Sequence, residues 1–494
     1  MSFTPTNFQD LPSTATPIDA VELNKLGTQH AAAVADSAAQ VPGLVDDALS
    51  TDAVIRAAAD TAVDEAITAE GGITDPTIAA ALSDTASQSR GVLSATIVTQ
   101  RQDPILTQVE SFGKGGVVGT SGRTPIAIRF DDWHDTLGPT VWPLMRERGL
   151  PASLACISRR GVNAWFTTTT WSTVQSWVKE GLEIWSHGTD HLDPAPDGYA
   201  GLVREIETSK AELELQKFRV HGFAVPGTSP AFWDLYDPSD WKAEYARMLQ
   251  ATYPLIEAYT EGLYRTLPSD ARYGLDHATI SDGPYQTLPE LTAFVETARR
   301  MGGGMEFMVH AGNLGGSGRL PLAVFTAFLD YLVNERDAGR IEIVTPSSLV
   351  FADPSSTRRL DLIDQDITKW SGTGVTVPIV PTDAQGRTGE VVRVPALGSA
   401  VQDQSGIRTR QINGHTLMMQ VHARATSGTG TAKVRLEELT PYATQVYEKT
   451  WALTGEWQII RLPYTSHIST DTMRVTLAST AGELEFADPH LFIA

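Results

Sequence analysis

The stretch Ile126-Ala127-Ile128-Arg129-Phe130-Asp131-Asp132 decides how this chain is read. A short apolar run rich in β-branched and aromatic residues reads as a buried strand, and two carboxylates at its end are costly to hold there without a task. Further along, His187-Gly188-Thr189-Asp190-His191 offers two imidazoles. One hard oxygen and two imidazole nitrogens suit Zn²⁺ and similar divalent ions while leaving positions open for water and substrate. The spare carboxylate can then take the water's proton. The residues point to mononuclear, metal-dependent hydrolysis.

Working outward, residues 122–352 alternate between strand and helix signals. Apolar runs end at Phe130, Ile157, Trp185, Val225, His310 and Val344, and amphipathic stretches follow at Trp171 to Lys179, Leu202 to Phe218, Leu288 to Met301 and Pro321 to Asp337. This alternation predicts parallel strands with covering helices. The polar residues then fall at strand ends: Asp131 and Asp132, His187, Pro226-Gly227 and His310. In a β/α barrel that end forms the active face.

The order and spacing resemble the polysaccharide deacetylases, the NodB-like domain of carbohydrate esterase family 4, over residues 121–352. The first family motif, Thr-Phe-Asp-Asp-Gly, stands here as Arg129-Phe130-Asp131-Asp132-Trp133. The His-Ser/Thr-x-x-His motif is His187-Gly188-Thr189-Asp190-His191, and the Leu-x-His motif is Met308-Val309-His310. The resemblance implies a distorted (β/α) barrel closed by the strand Ile341-Glu342-Ile343-Val344. It also implies Asp131 as general base, Asp132, His187 and His191 as ligands of a divalent metal, and His310 as general acid.

The chain departs from the pattern in three places. The family's third motif carries an Arg that pairs with the base, but this chain reads His221-Gly222-Phe223-Ala224-Val225-Pro226-Gly227. Side chains alternate along a strand, so Arg129 shares a face with Asp131. It is therefore expected to supply the missing guanidinium and hold Asp131 ionised. The fourth motif, an Asp near a Trp, has only Asp276 as a candidate, and Gly188 removes a hydroxyl that braces the histidine loop in the family. His134, His221 and His277 match no motif position and are expected to be structural. Trp133, Trp185, Phe232 and Trp233 either line a sugar groove or belong to the core. Ser186 and Ser229 lack the neighbours of a Ser-His-Asp nucleophile.

The flanks differ in character. The first hundred residues are rich in Ala, Thr, Ser and Asp, with Phe3 and Phe8 as the aromatics. Asp19 with Glu22 reads as a helix N-cap and its reciprocal partner, and Val21, Leu26, Val34 and Val41 recur at helical spacing. Short Ala-rich helices with a narrow apolar stripe are marginal as monomers, so packing against copies of themselves or against another protein is expected; a disordered linker is the alternative. After residue 370 come short alternating runs: 417–424, 432–437, 458–463, 473–477 and 484–492. These predict an antiparallel β-sandwich that resembles jelly-roll carbohydrate-binding modules.

The whole is thus expected to be multidomain: an N-terminal α-helical oligomerising arm (1–120), a central distorted (β/α) barrel of polysaccharide-deacetylase type (121–352), then a linker and C-terminal antiparallel β-sandwich (353–494). The segment Thr16 to Leu26 resembles the attachment helices of bacteriophage tail fibres and minor tail proteins. That resemblance implies a virion location, a homotrimer, other tail proteins as partners and bacterial cell-surface polysaccharide as target. A catalytically impaired, glycan-binding tail protein is the alternative. The net charge of −21 argues against nucleic acid, whose affinity comes from Lys and Arg neutralising phosphates. The single Cys156 excludes an intramolecular disulfide and reads as a small buried residue. Neither a signal peptide nor membrane insertion is expected, since no basic start and no run of about 18 apolar residues occurs.

Overall fold

The computed structural model describes residues 118–132, 134–159, 169–191, 198–227, 244–258, 262–269, 272–357 and 359–494, except 360, 365, 381–388, 406–411, 440–443 and 468–469. The expected helical arm lies outside the described residues, save its last three. Trp133, Ser229, Phe232 and Trp233 also lie outside them.

A two-residue strand β1 (Val118–Gly119) leads into β2 (Thr124–Asp131), the strand read first from the sequence. β3 (Ala152–Cys156), β4 (Leu182–Ser186) and β5 (Val220–Ala224) follow, then the short β6 (Ile256–Glu257), β7 (Tyr273–Leu275) and β8 (Ala278–Thr279). β9 (Met305–His310), β10 (Ile341–Val344) and β11 (Ala352–Asp353) complete this region, with β11 parallel to β1. The main sheet runs β7-β6-β5-β4-β3-β2-β9-β8, parallel throughout. Its two end strands are joined through Asp276-His277 alone, so the sheet curls back on itself.

One expectation changes here. Ile341–Val344 does not close the barrel; it pairs with residues 124–127 of β2, while β3 takes 129–130. A four-residue strand covers only half of β2, and β7 and β8 stand as the two ends of the sheet.

The strand alternation sorts the core. Ile126, Ile128 and Phe130 pack outward in one cluster with Val295, Phe325 and Leu329 of the covering helices Leu288–Met301 and Leu322–Asp337. Ala127 packs inward with Val344 and Leu349, the latter on the short helix Pro346–Leu349. Trp185 is wholly buried with Ala155 and Ala224, and its indole N–H donates to Glu183 Oε1 at 2.7 Å. It is a core residue and not part of a sugar groove.

Helix boundaries follow local chemistry. Thr170 caps Trp171–Lys179 by accepting from the Thr173 N–H, and Thr287 with Glu290 forms a capping box for Leu288–Met301, which ends at left-handed Gly302.

β12 (Ile379–Val380) and β13 (Gly389–Glu390) form a small hairpin. Two four-stranded antiparallel sheets follow. The first orders β14 (Val392–Val394), β21 (Leu484–Ile493), β16 (Thr416–Ala425) and β19 (Gln458–Thr465). The second orders β15 (Ser399–Ser405), β20 (Thr472–Ala481), β17 (Thr429–Leu439) and β18 (Thr444–Thr454). One apolar cluster, including Met419, Val421, Val434, Val475 and Phe486, joins them. The sheets touch the barrel at the amino ends of its strands: Thr465 Oγ1 donates to the Leu182 carbonyl at 3.3 Å and His221 Nε2 meets the Gly414 carbonyl at 3.0 Å. They therefore approach the end opposite Asp131 and His310. Among the described residues, no helix is long and apolar enough to cross a membrane.

Candidate active site

Three strand ends build the site. β2 delivers Asp131 and, one residue beyond, Asp132 at φ +72°, a conformation an Asp side chain tolerates better than most. β4 leads into His187, and the parallel register sets Asp131 beside His310 on β9.

Asp132 is the hub. His187 Nε2 and His191 Nε2 each lie 3.2 Å from its Oδ1, while His310 Nε2 and His134 Nε2 approach Oδ2 at 3.4 and 3.6 Å. Burial works against the charge, but the surrounding imidazoles hold the carboxyl well below the usual range. His187 Nδ1 lies 2.8 Å from the Ala224 carbonyl, which only accepts. That fixes Nδ1–H, so the neutral imidazole turns a lone pair on Nε2 toward Oδ1. Oδ1 is buried and has no hydrogen-bond partner among the described residues. Acceptors facing one another at this distance fit a cation between them. Asp132, His187 and His191 also form a compact group whose ligand atoms lie within 4.8 Å of one another. The donor set suits a divalent metal.

Asp131 is held from its own strand. Arg129 Nε donates to Asp131 Oδ1 at 2.7 Å and Nη2 to Oδ2 at 3.2 Å, a two-pronged contact between side chains that are 1% and 3% exposed. Burial favours the neutral acid, but the guanidinium outweighs it and lowers the Asp131 pKa. The position left without a third-motif Arg is thus filled from a different strand.

Sequence reasoning missed what surrounds Arg129. Its Nη1 also reaches Glu306 Oε1 at 2.9 Å and Glu257 Oε2 at 3.2 Å. Arg265 Nη2 bridges the same pair from the other side, at 2.8 Å to Glu257 and 3.3 Å to Glu306. Burial and the Glu257 charge push Glu306 up, whereas the two arginines overcome burial and hold Glu257 down. Two guanidiniums are thus shared among three buried carboxyl groups, Asp131, Glu257 and Glu306, of which Glu306 holds its proton most readily. His277 joins through Nδ1, 3.3 Å from Glu257 Oε2, and burial lowers its pKa. Glu257, Arg265 and His277 lie on short strands and in loops that carry no periodic signal, and Glu306, on β9, has its partners on other segments.

His310 is supported by a residue the sequence did not single out. Its Nδ1 pairs closely with Asp282 Oδ2, and Asn313 and Arg319 hold the other oxygen. Burial opposes protonation, but the bond to Asp282 and the charges of Asp132 and Asp131 push His310 up to about 9. The fourth-motif candidate, Asp276, is elsewhere: its Oδ1 accepts from the His277 backbone N–H at 2.7 Å. Asp282 stands beside His310 instead, in Ser281-Asp282-Gly283, a turn with no motif to mark it.

His134 is the second correction. Expected to be structural, it lines an open pocket of about 690 Å³ together with Asp132, Asp135, Asp282, His310 and Arg319. Its ring sits against Gly312, where a Cβ would stand 2.4 Å from Nδ1. Cys156 is a buried free thiol raised by burial, as its apolar setting implied.

The family model described as polysaccharide deacetylase matches residues 119–232. Among solved structures, the chain is similar to the Xyl-CE4 domain of a multidomain xylanase from the hindgut metagenome of Trinervitermes trinervoides, at 18% identity and TM-score 0.31, covering 46% of this chain and 89% of that one. It is also similar to the CBM22-1 xylan-binding domain of Paenibacillus barcinonensis Xyn10C, at 13% identity and TM-score 0.23, covering 28% and 94%. The enzymatically active domain of bacteriophage CBA120 tailspike protein 4 matches at 13% identity and TM-score 0.22, covering 31% and 25%. No curated protein matches. The segment that carries Asp131, Asp132, His187 and His191 is the part of the chain that matches the polysaccharide deacetylase family model.

Proposed function

We propose that residues 121–352 act as a metal-dependent deacetylase on acetylated polysaccharide, with Asp132, His187 and His191 holding the metal, most readily Zn²⁺. The observation that carries this reading is the sharing of Asp132. One of its oxygens faces two imidazoles, the other faces His310, and Asp131 is pinned alongside by Arg129. A cation held there supplies Lewis-acid polarisation of an acyl oxygen.

The remaining chemistry belongs to the side chains. Asp131, ionised by its guanidinium partner, accepts the proton of the attacking water as oxygen adds to the acyl carbon. His310, protonated through Asp282, gives its Nε2 proton to the departing sugar nitrogen or oxygen as the acyl bond breaks. Acetate and the freed amine or hydroxyl leave, and the proton passes from Asp131 back to His310 through solvent. No covalent intermediate is required. The impaired, glycan-binding alternative rested on the absent third-motif Arg, and the Arg129–Asp131 contact weighs in favour of the active reading.

The test is acetate release from acetylated cell-wall glycan by Zn²⁺-loaded protein. His187→Ala should abolish release while glycan binding persists; release at the wild-type rate in this variant overturns the reading.

We further infer a virion-tail setting in which the first 120 residues associate as a trimer and dock on other tail proteins, and the C-terminal sandwich (353–494) holds bacterial surface glycan. Its support is the acidic, Ala-rich start and the segment Thr16 to Leu26. A monomeric mass in solution, or absence of the protein from purified particles, removes it.

A further inference from the structure

The histidine loop departs from its family motif at Gly188, and the geometry around that glycine points to a compensating residue. The loop is strained at His191, which has φ +60°, whereas Gly188 adopts φ +85° freely for want of a Cβ. A non-glycine residue in that region costs about 1–3 kcal/mol and persists only where its surroundings hold it. The space a side chain at 188 would occupy is already filled, since a Cβ there would stand 2.4 Å from Glu205 Oε2.

Glu205 is wholly buried, and its contacts are aimed at the loop. Its Oε2 accepts the Thr189 N–H at 2.9 Å and its Oε1 accepts Arg204 Nε at 2.9 Å. The Thr189 hydroxyl donates to the Arg204 carbonyl, and Ser209 Oγ donates to the Gly188 carbonyl at 3.0 Å. All three bonds to the loop come from one helical run, Gly198–Leu215, which is interrupted by a wide π-type turn at Arg204–Thr208. Such turns are rare and gather at functional sites. Here the turn carries Glu205, which reaches the backbone between the two histidines.

We propose that Glu205 is a positioning residue: its carboxyl group, seated in the space left by Gly188, clamps residues 187–191 so that both imidazoles converge on Asp132 Oδ1. This rests on the metal reading above. It replaces a hydroxyl within the loop by an acid from a neighbouring helix. Outer partners of ligating histidines typically hold about 10- to 100-fold of metal affinity.

The experiment is calorimetric titration of metal-stripped full-length protein with Zn²⁺, beside circular dichroism and thermal unfolding of each variant. Glu205→Ala should bind Zn²⁺ about 10- to 100-fold more weakly than wild type. Glu205→Gln, whose amide oxygen still accepts from Thr189, should stay close to wild type; a loss as large as that of Glu205→Ala overturns the clamp. Gly188→Ala reaches the same end from the other side by displacing the carboxyl group, and it decides the matter should Glu205→Ala fail to fold. Wild-type affinity in Glu205→Ala or in Gly188→Ala overturns the proposal. His187→Ala separates the two readings: if wild type and His187→Ala both fail to bind Zn²⁺, the metal site itself is wrong.

Discussion

Replacing Arg129 tests how the proposed base is held. In Arg129→Met the two-pronged contact to Asp131 disappears, leaving that buried carboxylate without a guanidinium, while Glu257 keeps its contact to Arg265. Removing one member of a buried ion network costs about 3–5 kcal/mol. At about 2–4 °C per kcal/mol for a domain of this size, Tm should fall by roughly 6–20 °C. Arg129→Lys keeps the charge and recovers part of that loss, but a single ammonium cannot reproduce the fork on Asp131. The carboxylate then turns from its productive direction, and a misplacement of about 1 Å costs on the order of 10²-fold in kcat. Arg129 makes no ion pair with Asp132, His187 or His191, so Zn²⁺ affinity should change by no more than about twofold. The assay is kcat for acetate release measured beside Zn²⁺ affinity and Tm on the same preparations. Metal affinity falling in step with kcat in Arg129→Lys refutes the reasoning, as does an unchanged kcat.

His310→Ala should lower kcat by about 10²- to 10⁴-fold, the range for a lost general acid, and Asp282→Asn should lower it less while Zn²⁺ affinity stays near wild type. Steady-state kinetics with parallel metal titration check both. Gly312→Ala sets a Cβ 2.4 Å from His134 Nδ1 and forces the ring into the pocket. It should raise KM and cost about 1–3 kcal/mol of stability, read from KM and urea unfolding. Glu205 gives a pH signature: burial, then its contact with Asp190, raises its pKa from 4.5 to about 7 in the folded chain. Folding therefore takes up a proton between these values, and the stability contributed here is full below pH 4.5 and is lost as pH rises through 7. Glu205→Gln cannot ionise, so its unfolding free energy relative to wild type should grow across that window; parallel curves in urea would contradict it.

The sequence alone determined the elements whose burial pattern is long and periodic. β2, β4, β9 and the helices Trp171–Lys179 and Leu288–Met301 lie where alternation and caps set them, and the strand-end rule brought Asp131, Asp132, His187, His191 and His310 to one end of the sheet. Side-chain alternation was also enough to aim Arg129 at Asp131, because that relation is internal to one strand. Tertiary structure decided everything that depends on residues meeting from separate segments. β6, β7 and β8, of two or three residues each, leave no periodicity to read, yet they extend the sheet at both ends and carry or border Glu257, Asp276 and His277. Asp282, Glu205 and Glu306 gain meaning only from neighbours 28, 16 and 177 positions away. A buried carboxyl group must find its counter-charge in space, and nothing in its immediate sequence records where that partner lies.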